Sequence, residues 1–165
     1  MPTNPDSDEV DEIVAAWIRE RPDIDFAPLG VLSRVFRLAR RLNIARKQAF
    51  QAAELEPWEW DVLSALRRAG APYELNPKEL LAQNLVTSGT MSNRIARLEK
   101  RGLISRQVDP NDRRNIPVKL TKTGLVQVDI AVEHLMRHEQ ELLAGMNDAE
   151  LKELADLLRK LSLHF

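Results

Sequence analysis

Apolar residues recur every three or four positions along most of this 165-residue chain, with polar residues between them. Because that spacing places the apolar side chains on one face of a helix, the pattern is typical of amphipathic α-helices. Two short stretches, near 103–108 and 116–120, instead alternate apolar and polar positions as half-buried strands do. The pattern predicts helices near residues 7–21, 27–53, 57–70, 77–84, 88–101, 122–143 and 148–163.

The predicted helix starts carry side chains that can cap a first turn. The run Asp6–Glu9 is interpreted as a capping box for the first helix, and Pro22 ends that helix. Asn76 stands before Pro77, with Glu79 three positions after Asn76, which is a strong combination for a helix start. These residues support the boundaries that the periodicity predicts.

The order of elements in the middle of the chain is helix, helix, helix, strand, turn, strand, which is the layout of a winged helix-turn-helix. The predicted fold class is therefore mainly α with a small β wing. We expect N-terminal helices in 1–56, a winged helix-turn-helix DNA-binding lobe in 57–122 and C-terminal helices in 123–165. The flanking helices carry apolar stripes that neither end can bury alone, so we expect them to pack together, as such regions often do against a second copy of the chain.

Composition removes several classes of chemistry. The chain has no cysteine, which excludes disulfides, thiolate catalysis and cysteine-rich zinc sites. No apolar run approaches the roughly 20 residues that a membrane helix needs. The acidic start MPTNPDSDEVDE also differs from a secretory signal, which is basic and then apolar. We therefore expect a cytoplasmic protein with no membrane partner.

The net charge of −1 conceals an uneven distribution along the chain. Residues 1–25 carry eight acids against two bases, whereas residues 87–122 carry nine bases against three acids, a local balance of +6. Nucleic-acid binding depends on the local field rather than on the total charge. The basic stretch therefore favours a double-stranded DNA partner; the alternative is a winged-helix module that binds protein and not DNA.

The second helix of a helix-turn-helix enters the major groove and presents its first turns to base edges. In this chain that helix starts near residue 88 with small hydroxyls, an amide and an apolar side chain, which suit base edges and the thymine methyl group. The alternative is a polar, solvated helix face. The candidate DNA-contacting residues on this helix are Ser88, Thr90, Met91, Asn93, Arg94 and Arg97.

The turn between the two predicted strands reads DPNDRR, residues 109–114. Beside a recognition helix, such a hairpin can lie along the minor groove, where an arginine at the tip meets strong negative potential. Arg113 and Arg114 are therefore the candidate minor-groove contacts. The alternative is a basic surface turn with no partner.

Metal binding and catalysis have weaker support in the sequence. His134 and His138 are four residues apart on a predicted helix, a spacing that can bind metal, but no HExxH motif is present. We interpret both as structural or solvated histidines and expect no metal. The chain has no GxGxxG motif, P-loop or nucleophile elbow. We therefore expect no catalytic residues, no cofactor and no enzymatic activity.

The run LVTSGTMSNRIARLEKRGLISRQVDPNDRRNIPVKLTKTG, residues 85–124, resembles the MarR family of transcriptional regulators. The resemblance lies in the small residues at the start of the recognition helix, then RLEKRGLI, the DPNDRR tip and the VKLTKTG exit, and it extends over essentially the whole chain. It implies a homodimer with interlocking terminal helices, in which two winged helices bind a palindromic operator as a repressor.

Two further runs, ERPDIDFAPL and WDVLSALRRAGAPYELNP, resemble the urate-responsive PecS-type branch of that family. The resemblance implies a ligand site formed by Trp17, Asp61, Arg94 and Arg106, and a small aromatic anion such as urate that releases the operator. A guanidinium suits a flat anion because it offers charge and two parallel donors. Phenolic or other aromatic carboxylates remain alternative ligands. Ordinary roles also remain open: core packing for Trp17, a surface acid at Asp61, a phosphate contact for Arg94 and an Asp61 ion pair for Arg106.

Overall fold

A computed structural model of the chain describes residues 7–84, 86–106 and 116–164. It confirms the predicted fold class, mainly α with a small β sheet. The helices and strands are α1 Glu9–Glu20, α2 Ala27–Gln51, α3 Pro57–Arg68, β1 Glu74–Leu75, α4 Pro77–Asn84, α5 Ser88–Lys100, β2 Ile104–Arg106, β3 Val118–Leu120, α6 Lys122–Leu143 and α7 Asp148–Ser162.

The sheet contains three antiparallel strands in the order β1-β3-β2. Ile104 pairs with Leu120 in the hairpin, and Glu74 pairs with Lys119 across the other edge of β3. Strand β1 was absent from the sequence prediction because two residues are too few to show an alternating pattern. Its pairing shows that the wing strands are joined to the segment between α3 and α4.

Most helix starts carry the caps that the sequence predicts. The side chain of Asn76 accepts a hydrogen bond from the Glu79 amide at 2.9 Å, and the Glu79 carboxylate accepts one from the Asn76 amide at 2.8 Å.

The predicted capping box at Asp6–Glu9 is wrong. The box lies two residues later, where Asp8 accepts from the Asp11 amide and Asp11 accepts from the Asp8 amide. Asp8 replaces Asp6 because α1 starts at Glu9.

The core of the winged helix forms around α3. Val62, Leu63 and Leu66 are fully buried and belong to one cluster with Leu80 of α4 and Leu98 of α5. Helix α3 therefore supports both helices of the helix-turn-helix, and its packing fixes where α5 lies.

Contacts divide the chain into two compact units, Met1–Ala45 and Arg46–Phe165. In the first unit, Arg34 of α2 donates to Asp8 at 2.8 Å and to Asp11 at 2.7 Å. These hydrogen bonds favour the carboxylate form and lower the pKa of Asp8 to about 2. The second unit contains the winged helix together with α6 and α7. The division into 1–56, 57–122 and 123–165 stays a prediction about roles.

Helices long and apolar enough to cross a membrane are absent from the described ranges.

Candidate nucleic-acid interface and anion site

Helix α5 has one buried face and one exposed face. Met91, Ile95 and Leu98 are buried, and they are three or four residues apart. Met91 is only 2% exposed, a burial that does not favour its predicted contact with a thymine methyl group, and that contact stays a prediction. Met91 is a core residue because it shares a helical face with Ile95, and that face packs on the core around α3.

The opposite face of α5 is exposed and contains Thr90, Asn93 and Arg97, and Ser88, the first residue of the helix, is exposed as well; these are four of the predicted DNA-contacting residues. The side chain of Thr90 is partly engaged by the helix cap, because its hydroxyl lies 2.9 Å from that of Thr87. The exposed face therefore presents small polar groups first and a guanidinium about two turns later.

Three further residues of this face were not among the candidates. Ser92, Ala96 and Lys100 are exposed. Their spacing from Asn93 and Arg97 places them on or beside the same surface of the helix. The sequence could have identified them, because the positions not occupied by the apolar repeat at 91, 95 and 98 are the solvent-facing ones.

Arg94 points toward α3 rather than outward. Its side chain is 18% exposed, and its Nη1 atom lies 3.8 Å from Oδ2 of Asp61. That distance is an ion pair and is too long for a hydrogen bond. Among the described residues, Nη1 of Arg94 is buried and has no hydrogen-bond partner. A buried donor left in this way costs about 1–3 kcal/mol, so a correctly placed acceptor would bind there favourably.

Trp58, in the first turn of α3, lies beside two arginines of α5. The guanidinium carbon of Arg97 is 4.5 Å from the centroid of the Trp58 ring, and that of Arg94 is 5.9 Å from it. Both distances are within the range of a cation–π interaction. One indole therefore contacts cations from successive turns of the recognition helix.

Arg106 does not form the ion pair with Asp61 that was one of its possible structural roles. Its Nε donates to Oε2 of Glu99 at 3.0 Å, and its Nη2 donates to the same oxygen. These hydrogen bonds lower the pKa of Glu99 below its ordinary value. Arg106 ends β2 while Glu99 lies in the last turn of α5, so the pair ties the hairpin to the recognition helix.

Trp17 belongs to the compact unit Met1–Ala45. Its ring stacks on that of Phe26 with 5.7 Å between centroids. The residue is 49% exposed, so it is not the core residue that its position on an apolar stripe allowed. The structure thus brings Asp61 and Arg94 together, and participation of Trp17 and Arg106 in the same ligand site stays a prediction.

Arg113 and Arg114, the predicted wing-tip contacts, lie outside the described residues. His138 Nδ1 is 3.6 Å from a carboxylate oxygen of Glu141, a contact within one helix. The described part of the chain holds no cluster of three or more His, Asp or Glu residues able to bind a metal.

The far end of α5 is fixed by a buried acid. Glu59 of α3 has a side chain only 2% exposed, and Arg101 at the end of α5 donates to its Oε2. Arg101 also donates to the carbonyl oxygen of Glu54 at 3.0 Å. A buried carboxylate without a partner is strongly unfavourable, so this contact holds α5 against the start of α3.

Comparison with known proteins agrees with this architecture. A sequence profile of the MarR family matches residues 53–115. The chain is 31% identical over 156 residues to the HTH-type transcriptional regulator PecS of Dickeya dadantii, and the alignment covers 94% of each protein.

Two solved structures are also similar. BpsR of Bordetella bronchiseptica, whose DNA binding is regulated by 6-hydroxynicotinic acid, is 30% identical with a TM-score of 0.62; the match covers 78% of this chain and 98% of that one. A MarR mutant from E. coli complexed with operator DNA is 24% identical with a TM-score of 0.69, and the match covers 94% and 99% of the two chains. At 24% identity the second likeness shows the fold alone.

Proposed function

This chain belongs to the MarR family of transcriptional regulators, and from that premise we propose that it is a ligand-responsive repressor. In this proposal two copies bind a palindromic operator, and a small aromatic anion such as urate releases them from the DNA. The ligand response is supported by one observation above all, the buried Nη1 atom of Arg94. This atom lacks a hydrogen bond among the described residues, and Arg94 belongs to the recognition helix itself.

DNA binding is supported by the exposed face of α5. Ser88, Asn93 and Arg97 are exposed there, and the segment 87–122 carries a local charge of +6. Amide and hydroxyl side chains suit base edges, while arginine suits guanine or phosphate. Helix α5 would therefore lie in the major groove, with Asn93 selecting bases and Arg97 adding phosphate or base contacts.

The ligand would act through Arg94 and Asp61. These two side chains form a weak pair at 3.8 Å, so a flat anion that accepts hydrogen bonds from Arg94 would compete with Asp61 and be repelled by it. Relief of this conflict requires a movement of α5 or α3. A ligand shifts DNA affinity only by its different affinity for the two positions, and coupling of about 5- to 150-fold is usual.

The class of ligand is better supported than its identity. PecS is similar over nearly the whole chain, and BpsR is regulated by 6-hydroxynicotinic acid. The hydroxynicotinate named for BpsR is a small, flat, aromatic acid, as urate is. A guanidinium and an indole would suit either type of compound, because the first offers charge and parallel donors and the second can cover a flat face.

The homodimer is supported by apolar surface on the flanking helices. None of the described residues of α7 is buried, although this 15-residue helix has a complete capping box. An isolated helix of about this length is marginal in water and needs packing of an apolar face. The exposed apolar residues on α6 and α7 include Val126, Met136, Leu142, Leu154, Leu157 and Leu158, and a second copy would bury them.

A thermal-unfolding series tests the ligand site. Urate, xanthine, salicylate and the neutral purine hypoxanthine are added separately to the purified protein, because binding to the folded state raises the unfolding temperature. We expect at least one anion to raise it and the neutral purine to have no effect. Arg94→Met should abolish the shift, whereas Arg68→Met, an exposed position on α3, should keep it. An Arg94→Met variant that responds like wild type would refute the site.

A further inference from the structure

Trp58 packs against the edge of the core cluster and also contacts the recognition helix. It is half-buried, whereas Trp60, two residues later, is buried and stacks on Phe50 with 4.9 Å between centroids. The Trp58 ring instead faces Arg97 at 4.5 Å. The indole thus covers an exposed cation on the recognition helix in addition to packing against the edge of the core.

The backbone around Trp58 is fixed from both sides. Pro57 starts α3, and the Glu59 carboxylate accepts a hydrogen bond from the Glu56 amide at 3.0 Å in the same turn. Glu59 is also held by Arg101, the C-cap residue of α5. Neighbouring residues of α3 therefore meet residues four apart at the C-terminal end of α5: Trp58 meets Arg97, and Glu59 meets the C-cap residue Arg101. This register places the indole against the last turn of α5 without depending on the hairpin.

An arginine on an exposed helix face samples many rotamers, and binding DNA requires one of them. A guanidinium that stacks on an indole has already lost part of that freedom, while its N–H groups remain available at the rim of the stack. Arg97 is exposed, so the stack does not remove its charge from the surface. Preorganisation of this kind raises affinity without a new contact to the DNA.

We propose that Trp58 is a positioning residue for DNA binding, whose indole holds the guanidinium of Arg97 in the conformation that contacts the duplex. The inference rests on the proposed DNA-binding function. Trp58 itself need not touch DNA, because its effect passes through Arg97.

The test is a double-mutant cycle on DNA affinity. The wild-type protein first selects a fragment from a pool of random duplexes, and Kd for that fragment is then measured by fluorescence anisotropy. Trp58→Leu should weaken binding about 2- to 30-fold, the size of a cation–π interaction. Trp58→Phe keeps an aromatic face and should restore most of the affinity. In an Arg97→Ala background, Trp58→Leu should change Kd by less than about twofold, since the residue it positions is gone.

Lys100 provides the matched control, because it is an exposed cation one turn further along α5. In a Lys100→Met background, Trp58→Leu should cause the same loss as in wild type. An equal loss in the Arg97→Ala background would mean that Trp58 only supports the fold, and an unchanged Kd in the wild-type background would also overturn the proposal.

A second variant covers the case in which Trp58→Leu fails to fold, which circular dichroism would reveal. Arg97→Lys keeps the charge but loses the planar stack, so it should weaken binding, and Trp58→Phe should then have no further effect. Wild-type affinity in Arg97→Lys would refute the positioning role. If wild-type protein selects no duplex at all, the proposed function fails and this inference fails with it; if it selects one and the Trp58 variants bind normally, only the inference fails.

Discussion

Gly124 shows how one residue joins the winged helix to α6. It lies in the first turn of α6, where its amide donates to Oγ1 of Thr121 at 3.0 Å. A Cβ at this position would lie 2.0 Å from the carbonyl oxygen of Leu103. The absence of a side chain therefore allows α6 to approach the backbone at the start of β2. Glycine in the VKLTKTG run has a structural reason that the sequence alone did not reveal.

Gly124→Ala should destabilise the protein by about 1–3 kcal/mol, since the added methyl group forces backbone to move in a packed region. The measurement is urea unfolding followed by circular dichroism. Gly89→Ala is the control, because a Cβ there meets nothing within 4 Å and alanine is the better helix former by up to about 1 kcal/mol. If the two variants have equal stability, the close approach at Gly124 is not a constraint.

At the scale of elements, the register between α3 and α5 depends on an ion pair with a buried carboxylate as well as on apolar packing. Arg101→Met would leave the Glu59 carboxylate, whose side chain is 2% exposed, without its partner. Breaking such a pair costs on the order of 3 kcal/mol. Denaturant unfolding of the variant measures this loss directly.

Arg106→Met is the matched comparison for Arg101→Met, because it breaks the Arg106–Glu99 pair, whose side chains are 41% and 36% exposed. Exposed pairs contribute less than about 1 kcal/mol. A similar loss of stability in both variants would show that burial of Glu59 does not set the strength of its ion pair.

The elements also show which parts of the fold the sequence could predict. Periodicity and caps identified all seven helices of the described ranges and the hairpin strands. They missed β1, because two residues carry no period, and they placed the first cap two residues early. Ion-pair partners were harder to predict from the sequence, because they depend on side-chain directions across elements. Arg106, for example, contacts Glu99 rather than Asp61. Burial of Met91 follows from the three- and four-residue spacing, but its apolar character alone also suited a base contact.

At the scale of the whole molecule, the described residues of α6 and α7 include apolar side chains that a single chain leaves exposed. Leu157 of α7 is 57% exposed and is followed by Leu158 at 46%. In the proposed homodimer these residues are buried by the partner. The same burial would place two recognition helices at a fixed distance, as a palindromic operator requires.

Leu157→Glu should therefore shift the protein from dimer to single chain at about micromolar concentration, because a carboxylate would have to enter an apolar interface. Sedimentation equilibrium measures the mass. Gln83→Glu introduces the same charge at an exposed position of α4 and should leave the dimer intact. A Leu157→Glu variant with the mass of a dimer would place the interface elsewhere.

The central claim is tested most directly by the affinity of purified protein for a selected duplex, measured by fluorescence anisotropy over a range of salt concentrations with and without urate. We predict a steep, linear fall of log affinity with log salt, as release of counterions from phosphates requires, and a further weakening of about 5- to 150-fold with urate or a related aromatic anion. Failure to bind any duplex at low salt would contradict the DNA-binding claim. Tight binding that no aromatic anion alters would contradict the ligand response built on Arg94 and Asp61.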